Sequence, residues 1–212
     1  MAPLILIALI AMAGEAMALE EPHYEVLETG AEYELRRYAP YLVAEVDVDG
    51  DYGEAGGKAF RILAGYIFGD NLVSEKMQMT APVESTEKSV KMAMTAPVTS
   101  TAASGSEGML TFAFVMERKY TRETLPVPRD SRIRIVERPG RTMAAHTYSG
   151  RWTANNDRNH RETLQRALAR DAVETVGEPV FARYNAPFVP WFLRRNEVLI
   201  EVRQDREGNQ VN

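Results

Sequence analysis

Apolar residues interleaved with charged ones through Tyr24–Leu27, Tyr33–Tyr38 and Tyr41–Val48 predict three strands. The third sets Leu42, Ala44, Val46 and Val48 against Val43, Glu45 and Asp47, the pattern of a half-buried strand. Asp49-Gly50 and Gly53 then turn the chain. Beyond them the period lengthens: Phe60, Leu63, Ala64 and Ile67 fall at i, i+3, i+4 and i+7. That spacing predicts a helix from about Glu54 to Phe68, with Gly69 as its stop. Met109 to Met116 is strand again, Pro126 and Pro128 mark a connector, and Arg132 to Glu137 resumes the strand pattern.

Between helix and connector the chain says one phrase twice, Lys-Met-Gln-Met-Thr-Ala-Pro-Val at 76–83 and Lys-Met-Ala-Met-Thr-Ala-Pro-Val at 91–98. Met-x-Met-Thr alternates as a short strand does, and the proline ends or edges the pairing because it has no N–H to donate. The two copies are expected to be neighbouring strands presenting Met77, Met79, Met92 and Met94 to a common space. Flexible, polarisable thioethers suit either a surface that adapts to a flat apolar guest or the filling of a core. Ser100 to Gly108, rich in Ser, Ala and Gly, is predicted to be a mobile hairpin loop.

A longer repeat organises the whole chain. At an offset of 100 residues Leu35 meets Ile135, Ala44 meets Ala144, Gly50 meets Gly150 and Tyr52 meets Trp152. Each half then enters a helix, the second through His160, Leu164, Ala167 and Leu168, and each continues into a strand-like segment ending in Ala-Pro. Neither half can bury its sheet alone. The expectation is one α+β domain over 19–212: a distorted antiparallel β-barrel or curved sheet carrying two helices. It would be built from two pseudo-twofold βαββ-like repeats, about 24–120 and 130–203, with 204–212 a flexible tail.

Composition narrows the chemistry. The 212 residues are 45% hydrophobic and 26% charged with a net charge of −5, which fits a folded domain and gives no basic footprint for a nucleic acid. No cysteine is present, so disulfides, thiolate metal sites, a cysteine nucleophile and covalent haem attachment are excluded. Leu4 to Ala13 is an apolar run of signal-peptide length, and Ala16-Met17-Ala18 supplies small residues before a cleavage point. Export, to the periplasm, of a mature chain starting at Leu19 is expected, without a membrane span thereafter; an uncleaved, tethering segment is the alternative.

Ile67-Phe68-Gly69-Asp70-Asn71, the Lys-Met-x-Met-Thr-Ala-Pro-Val element, Tyr148-Ser149-Gly150, Ala182–Pro187 and Phe192–Val198 together resemble the SOUL haem-binding proteins, over about Tyr24 to Val202. The resemblance implies a distorted barrel of two βαββ-like repeats, with haem or another tetrapyrrole as noncovalent ligand and a carrier, buffer or scavenger role. One branch of that family carries a proposed histidine ligand in its Tyr-Glu-x-Arg-x-Tyr strand, where this chain has Arg37. Another holds haem propionates with basic residues near the first helix and before Arg-x-Asn-Glu; the counterparts here are Lys58, Arg61 and Val189.

The candidate ligand surface is Phe60, Leu63 and Ile67 of the first helix with the four methionines, and Phe188 and Trp191 as an aromatic wall or barrel end. Arg194 and Arg195 could pair with propionates, or with Glu197 and Glu201. His160, on the apolar face of the second helix, is the first candidate for an axial iron ligand and His146 the second, each against the alternative of an ordinary hydrogen-bonded histidine. His23, in an N-terminal stretch expected to be disordered, is discounted. No Gly-x-Ser-x-Gly, phosphate loop, dinucleotide fingerprint or His-Glu-x-x-His occurs. Two alternatives stand beside the binding protein: a hydrolase-like enzyme acting on a lipophilic or tetrapyrrole molecule, as related GyrI-like domains suggest, and a protein-interaction module using the methionine face.

Overall fold

A computed structural model describes residues 19–50, 52–73, 89–103 and 108–203. The alternating stretches form β1 (Tyr24–Thr29), β2 (Glu34–Tyr38) and β3 (Tyr41–Asp49), and the longer period forms α1 (Tyr52–Ile67). There follow β4 (Asn71–Leu72), β5 (Val98–Ala102), β6 (Met109–Val115), β7 (Val127–Pro128), β8 (Arg134–Arg138) and β9 (Arg141–Tyr148). The chain ends with α2 (Ala154–Arg170), β10 (Thr175–Arg183), a 3-10 turn (Trp191–Leu193) and β11 (Asn196–Val202). Nine strands make one sheet in the order β1-β2-β9-β11-β10-β5-β6-β3-β8, antiparallel throughout, and β4 pairs with β7 apart from it. The large sheet curls into a half-barrel, so the fold is α+β.

Consecutive strands exchange partners at one corner. β2 pairs with β9, Tyr38 opposite Arg141, while β3 pairs with β8, Tyr41 opposite Arg138. The two short connections, Ala39–Pro40 and Pro139–Gly140, therefore lie against each other. A Cβ on Gly140 would stand 3.3 Å from the Tyr38 carbonyl oxygen, so only glycine admits this approach without a shift.

Both helices lie on the same face of the sheet. α1 turns Ala55, Ala59, Leu63, Tyr66 and Ile67 onto Val46, Phe112 and Phe114 of β3 and β6. The alanines let the helix approach closely, and each fully buried Leu or Ile contributes about 1.5–3 kcal/mol. Gly69, at φ +125°, ends α1 as expected. α2 sets Leu164 and Leu168 on Ala144, Val198 and Ile200 of β9 and β11. Its start is fixed by Thr153, whose side chain accepts from the Asn156 N–H, and Asp157 and Arg170 complement the helix dipole at its two ends.

Three expectations change. The first methionine phrase, with Met77 and Met79, lies outside the described residues, and the second is not a strand. Its backbone is satisfied piecemeal: Met92 N–H donates to the Ile67 carbonyl at 2.7 Å, Ala93 N–H to Glu117 Oε1 at 3.0 Å and Ala96 N–H to the Glu20 carbonyl at 2.9 Å. Partners on three separate segments do not make a ladder, and β5 begins only after the cis Ala96–Pro97 bond. Ser100 to Ala102, expected in a loop, belong to β5, with Thr101 opposite Thr111. The stretch around His23, expected to be disordered, is fastened down: Ala39 N–H donates to the His23 carbonyl, and Glu20 and Glu21 pair with Arg118 and Arg195. The predicted leader (1–18) and tail (204–212) lie outside the described residues. No helix among the described residues is long and apolar enough to cross a membrane.

Candidate functional site

A cavity of about 600 Å³ opens between α1, strands β5 and β6, and the loop Arg183–Pro187. That volume lies within the range of roughly 300–1,000 Å³ usual for small-molecule sites. One side is paved by Gly53, Gly56 and Gly57 of α1. A Cβ at Gly53 or Gly57 would meet nothing within 4 Å, and one at Gly56 would touch only the Phe112 ring, at 3.7 Å. Glycine inside a helix costs about 1 kcal/mol relative to alanine, so three of them in its first turns keep the backbone bare facing the space. Phe60 and Phe114, edge to face at 5.6 Å between ring centres, and the half-buried Met94 complete an apolar wall.

Polar groups are few and sit at one end. The Trp152 indole donates to Asn196 Oδ1 at 2.8 Å, which fixes its ring in the wall. The Arg194 guanidinium lies 4.4 Å from that ring's centre and Arg183 lies 5.6 Å from it. Arg183 reaches Asp157 Oδ2 at 3.4 Å. An apolar space with the Arg183 guanidinium in its lining suits a flat hydrophobic guest that carries a carboxylate.

Behind Arg183 stands a hydrogen-bonded histidine pair. The Glu32 carbonyl can only accept, so His146 Nδ1 carries a hydrogen and donates to it. When the His146 ring carries no second proton, its Nε2 accepts from His160 Nδ1–H, 3.1 Å away, and the His160 Nε2 then keeps its lone pair. The His160 ring stacks on Tyr148 at 4.1 Å, and the Tyr148 hydroxyl donates to Asp157 Oδ1 at 2.8 Å. Burial pushes the His160 imidazole below its ordinary pKa, and the neighbouring His146 adds to the shift.

A second buried network braces the loop. Glu197 is fully buried; it accepts from Arg36 at 3.0 Å, from the Tyr184 hydroxyl at 2.6 Å and from Arg195 at 3.0 Å. Burial alone would raise the Glu197 carboxyl, but the Arg36 guanidinium, these hydrogen bonds and Arg195 together hold it below the usual carboxylate range. Burial, then the Glu197 charge, push the Tyr184 hydroxyl far up, so it stays a donor. Tyr184 in turn forms part of the cavity wall.

Of the residues singled out in the sequence, Phe60, Leu63 and Met94 line the cavity. Ile67 and Met92 are packed in the core behind them. Phe188 and Trp191 point outward, and Arg194 packs on the Trp152 ring without itself lining the cavity. His160 sits one layer back, behind Tyr148, Asp157 and Arg183. Arg195 takes the ion pair with Glu197, whereas Arg194 donates to the carbonyls of Val189 and Pro187. Unforeseen were Trp152, Arg183, Phe112, Phe114 and the glycines. The glycine run inside a helix was the available signal.

A family model described as SOUL heme-binding protein matches residues 19–201. Heme-binding protein 2 of Mus musculus is 27% identical over 206 residues, covering 91% of this chain and 94% of its own. Heme-binding protein 2 of Homo sapiens is 28% identical over 203 residues, covering 92% of each. Among solved structures, a hydrolase from Listeria innocua superposes with a TM-score of 0.53 at 12% identity, covering 84% of this chain and 94% of that one. At such identity the likeness is one of fold alone. With the match running from the first described residue to the last strand, the chain belongs to the SOUL heme-binding protein family.

Proposed function

We propose that this protein binds haem or a related tetrapyrrole noncovalently and reversibly in the cavity beside α1, as an exported carrier, buffer or scavenger. The observation that carries the reading is the glycine-paved apolar wall of a cavity of about 600 Å³, with Arg183 in its lining. Family membership supports the ligand class. Export is supported by the apolar run Leu4–Ala13 and the small residues at 16–18.

The residues fit such a guest. Gly53 and Gly57 leave room for a flat face, while Phe60, Met94, Phe114 and Trp152 give it apolar and aromatic contact. Arg183, in the cavity lining, is placed to meet a carboxylate. Buried apolar area contributes about 25 cal/mol per Å², enough for several kcal/mol before association costs. Bound haem supplies a redox-active iron and a visible absorption band. The protein's part is to stack on the macrocycle, exclude water and pair its acids. Ligation of iron by His160 is a secondary proposal and requires a guest seated beyond the cavity as it stands, since His160 lies one layer behind the cavity wall.

Titration of the full chain with haemin and with metal-free protoporphyrin, followed by Soret absorbance and quenching of Trp152, tests this. Saturable one-to-one binding of both with similar affinity is expected. A preference of about tenfold or more for haemin would indicate an iron ligand, and His160→Ala should then shift the Soret band. Failure of both to saturate would overturn the reading.

A further inference from the structure

Directly beyond the cavity wall, the loop after Pro187 turns its largest side chains to solvent. Phe188 is 88% exposed, Leu193 65%, Phe192 58% and Trp191 47%. Four large apolar residues within six positions, all exposed, form a continuous patch. Burying them would be favourable, and the fold spends none of them on its own core.

Two further features say what covers the patch. The first is charge. In a chain of net charge −5, residues 179–196 carry three arginines and no carboxylate. Arg183 and Arg195 are ion-paired inside the fold. Among the described residues neither Arg194 nor Arg151, whose guanidinium lies 5.9 Å from the Trp191 ring centre, is paired with an acid. The patch is thus flanked by two cations free to meet anions.

The second is the backbone. Val189 N–H donates to the Ala186 carbonyl, Leu193 N–H to Pro190, Gly150 N–H to Trp191, and Arg194 to the carbonyls of Pro187 and Val189. The carbonyls of Ala186, Pro187, Val189, Pro190 and Trp191 are therefore satisfied from within, and Pro187 and Pro190 have no N–H to lose. A loop so arranged can leave water at low cost, which is the demand a lipid interface makes of backbone.

We infer that this tip is a docking surface for an anionic lipid bilayer, with Phe188, Trp191, Phe192 and Leu193 entering the headgroup region and Arg151 and Arg194 meeting lipid phosphates. Tryptophan and arginine are the side chains suited to that depth. Because Asn185–Pro187 line the cavity and lead straight into the tip, docking sets the cavity rim at headgroup level. Passage of a lipophilic guest between bilayer and cavity rests on the binding function proposed above; docking does not.

The test uses the full chain, without any guest, and vesicles of phosphatidylglycerol and phosphatidylcholine, some carrying acyl-chain bromines. Vesicles should blue-shift tryptophan emission and the bromines should quench it, both effects disappearing in Trp191→Phe. Phe188→Ser combined with Phe192→Ser should weaken binding at least about tenfold, with circular dichroism unchanged because both positions are exposed. Pure phosphatidylcholine should bind less well, and added salt should weaken binding. Unquenched Trp191, or a double variant that binds as well as the parent, would overturn the proposal and assign any binding to the apolar residues 4–13. Equal binding to neutral vesicles would overturn the anionic assignment. A blue shift that tracks protein concentration without vesicles would overturn it in favour of a second copy of the chain. Loss of haemin binding alone leaves these readouts unmoved, so the two proposals fail separately.

Discussion

Phe60 on α1 and His160 on α2 stand 100 residues apart in sequence, and their surroundings have opposite character. Around Phe60 the helix is stripped to glycine, the strands offer Phe112 and Phe114, and space remains. Around His160 the space is filled by rings and hydrogen bonds running from Glu32 through His146 and His160, with Tyr148, Asp157 and Arg183 packed alongside. A helix on antiparallel strands can thus be opened or closed by a few side chains. The closed side has a use for the open one, since its last member, Arg183, is held in the cavity wall.

The largest effect should come from truncating the packed leucines. Leu164→Ala in the closed half should cost about 3–5 kcal/mol, because tightly packed neighbours cannot collapse into the gap. Leu63→Ala, equally buried but bordering the cavity, should cost less, about 2–3 kcal/mol, since the space it vacates adjoins one that is already open. Urea unfolding of both variants measures the difference; equal costs would mean that the two halves are packed alike.

Asp157→Ala should destabilise by about 2–3 kcal/mol, leaving the Tyr148 hydroxyl and Arg183 without their shared acid. It should also free Arg183 toward the cavity, so that haemin affinity rises or holds while thermal stability falls. A parallel fall in both would show that Arg183 depends on Asp157 for its position. Gly57→Leu works the other way. The side chain enters open space, so stability should hold or rise by up to about 1 kcal/mol, while tetrapyrrole affinity drops at least about tenfold. Unchanged binding in this variant would move the ligand away from α1.

The smallest effect is on pH dependence. His160 has a lowered folded pKa, chiefly from burial, so the unfolded chain takes up its proton more readily. The resulting stabilisation is fully present above the unfolded value of about 6.5 and is lost as pH falls through the lower folded value. His160→Phe, which copies the residue at position 60, should flatten the decline of stability on the acid side of neutrality. Chemical denaturation at a series of pH values checks this.

Much of the fold can be read along the chain. Alternation in Tyr41–Val48 marks β3, and Phe60, Leu63 and Ile67 mark α1, because burial imposes the period of each element directly. Partner choice leaves no such trace: nothing in Glu34–Tyr38 says that it pairs with 141–145 and not with the strand two residues on. Alternation misleads at Met92 and Met94, where one thioether is in the core and one at the cavity without any ladder. Phe60, Leu63 and Met94, which line the cavity, could be singled out because apolar side chains at a helix face or in a repeat attract notice. Trp152 and Arg183 were not, since their roles depend on where α2 and β10 place them. Arg194 could not be told from Arg195 by sequence, because the carbonyls it meets exist only once Pro187 and Pro190 have bent the loop.

The exchange of partners at the corner also has a consequence for how the chain is made. Leu35 finds its place opposite Ala144, so β2, though among the first segments to leave the ribosome and able to pair with β1, keeps its other edge open until β9 has emerged. The N-terminal portion, with β3, α1, β5 and β6, can collapse early, but β3 still awaits β8. Pairings so distant in sequence close late and slowly. A newly made chain therefore carries unpaired strand edges through most of its synthesis, a state in which holding chaperones can keep it unfolded and in which a truncated product would aggregate.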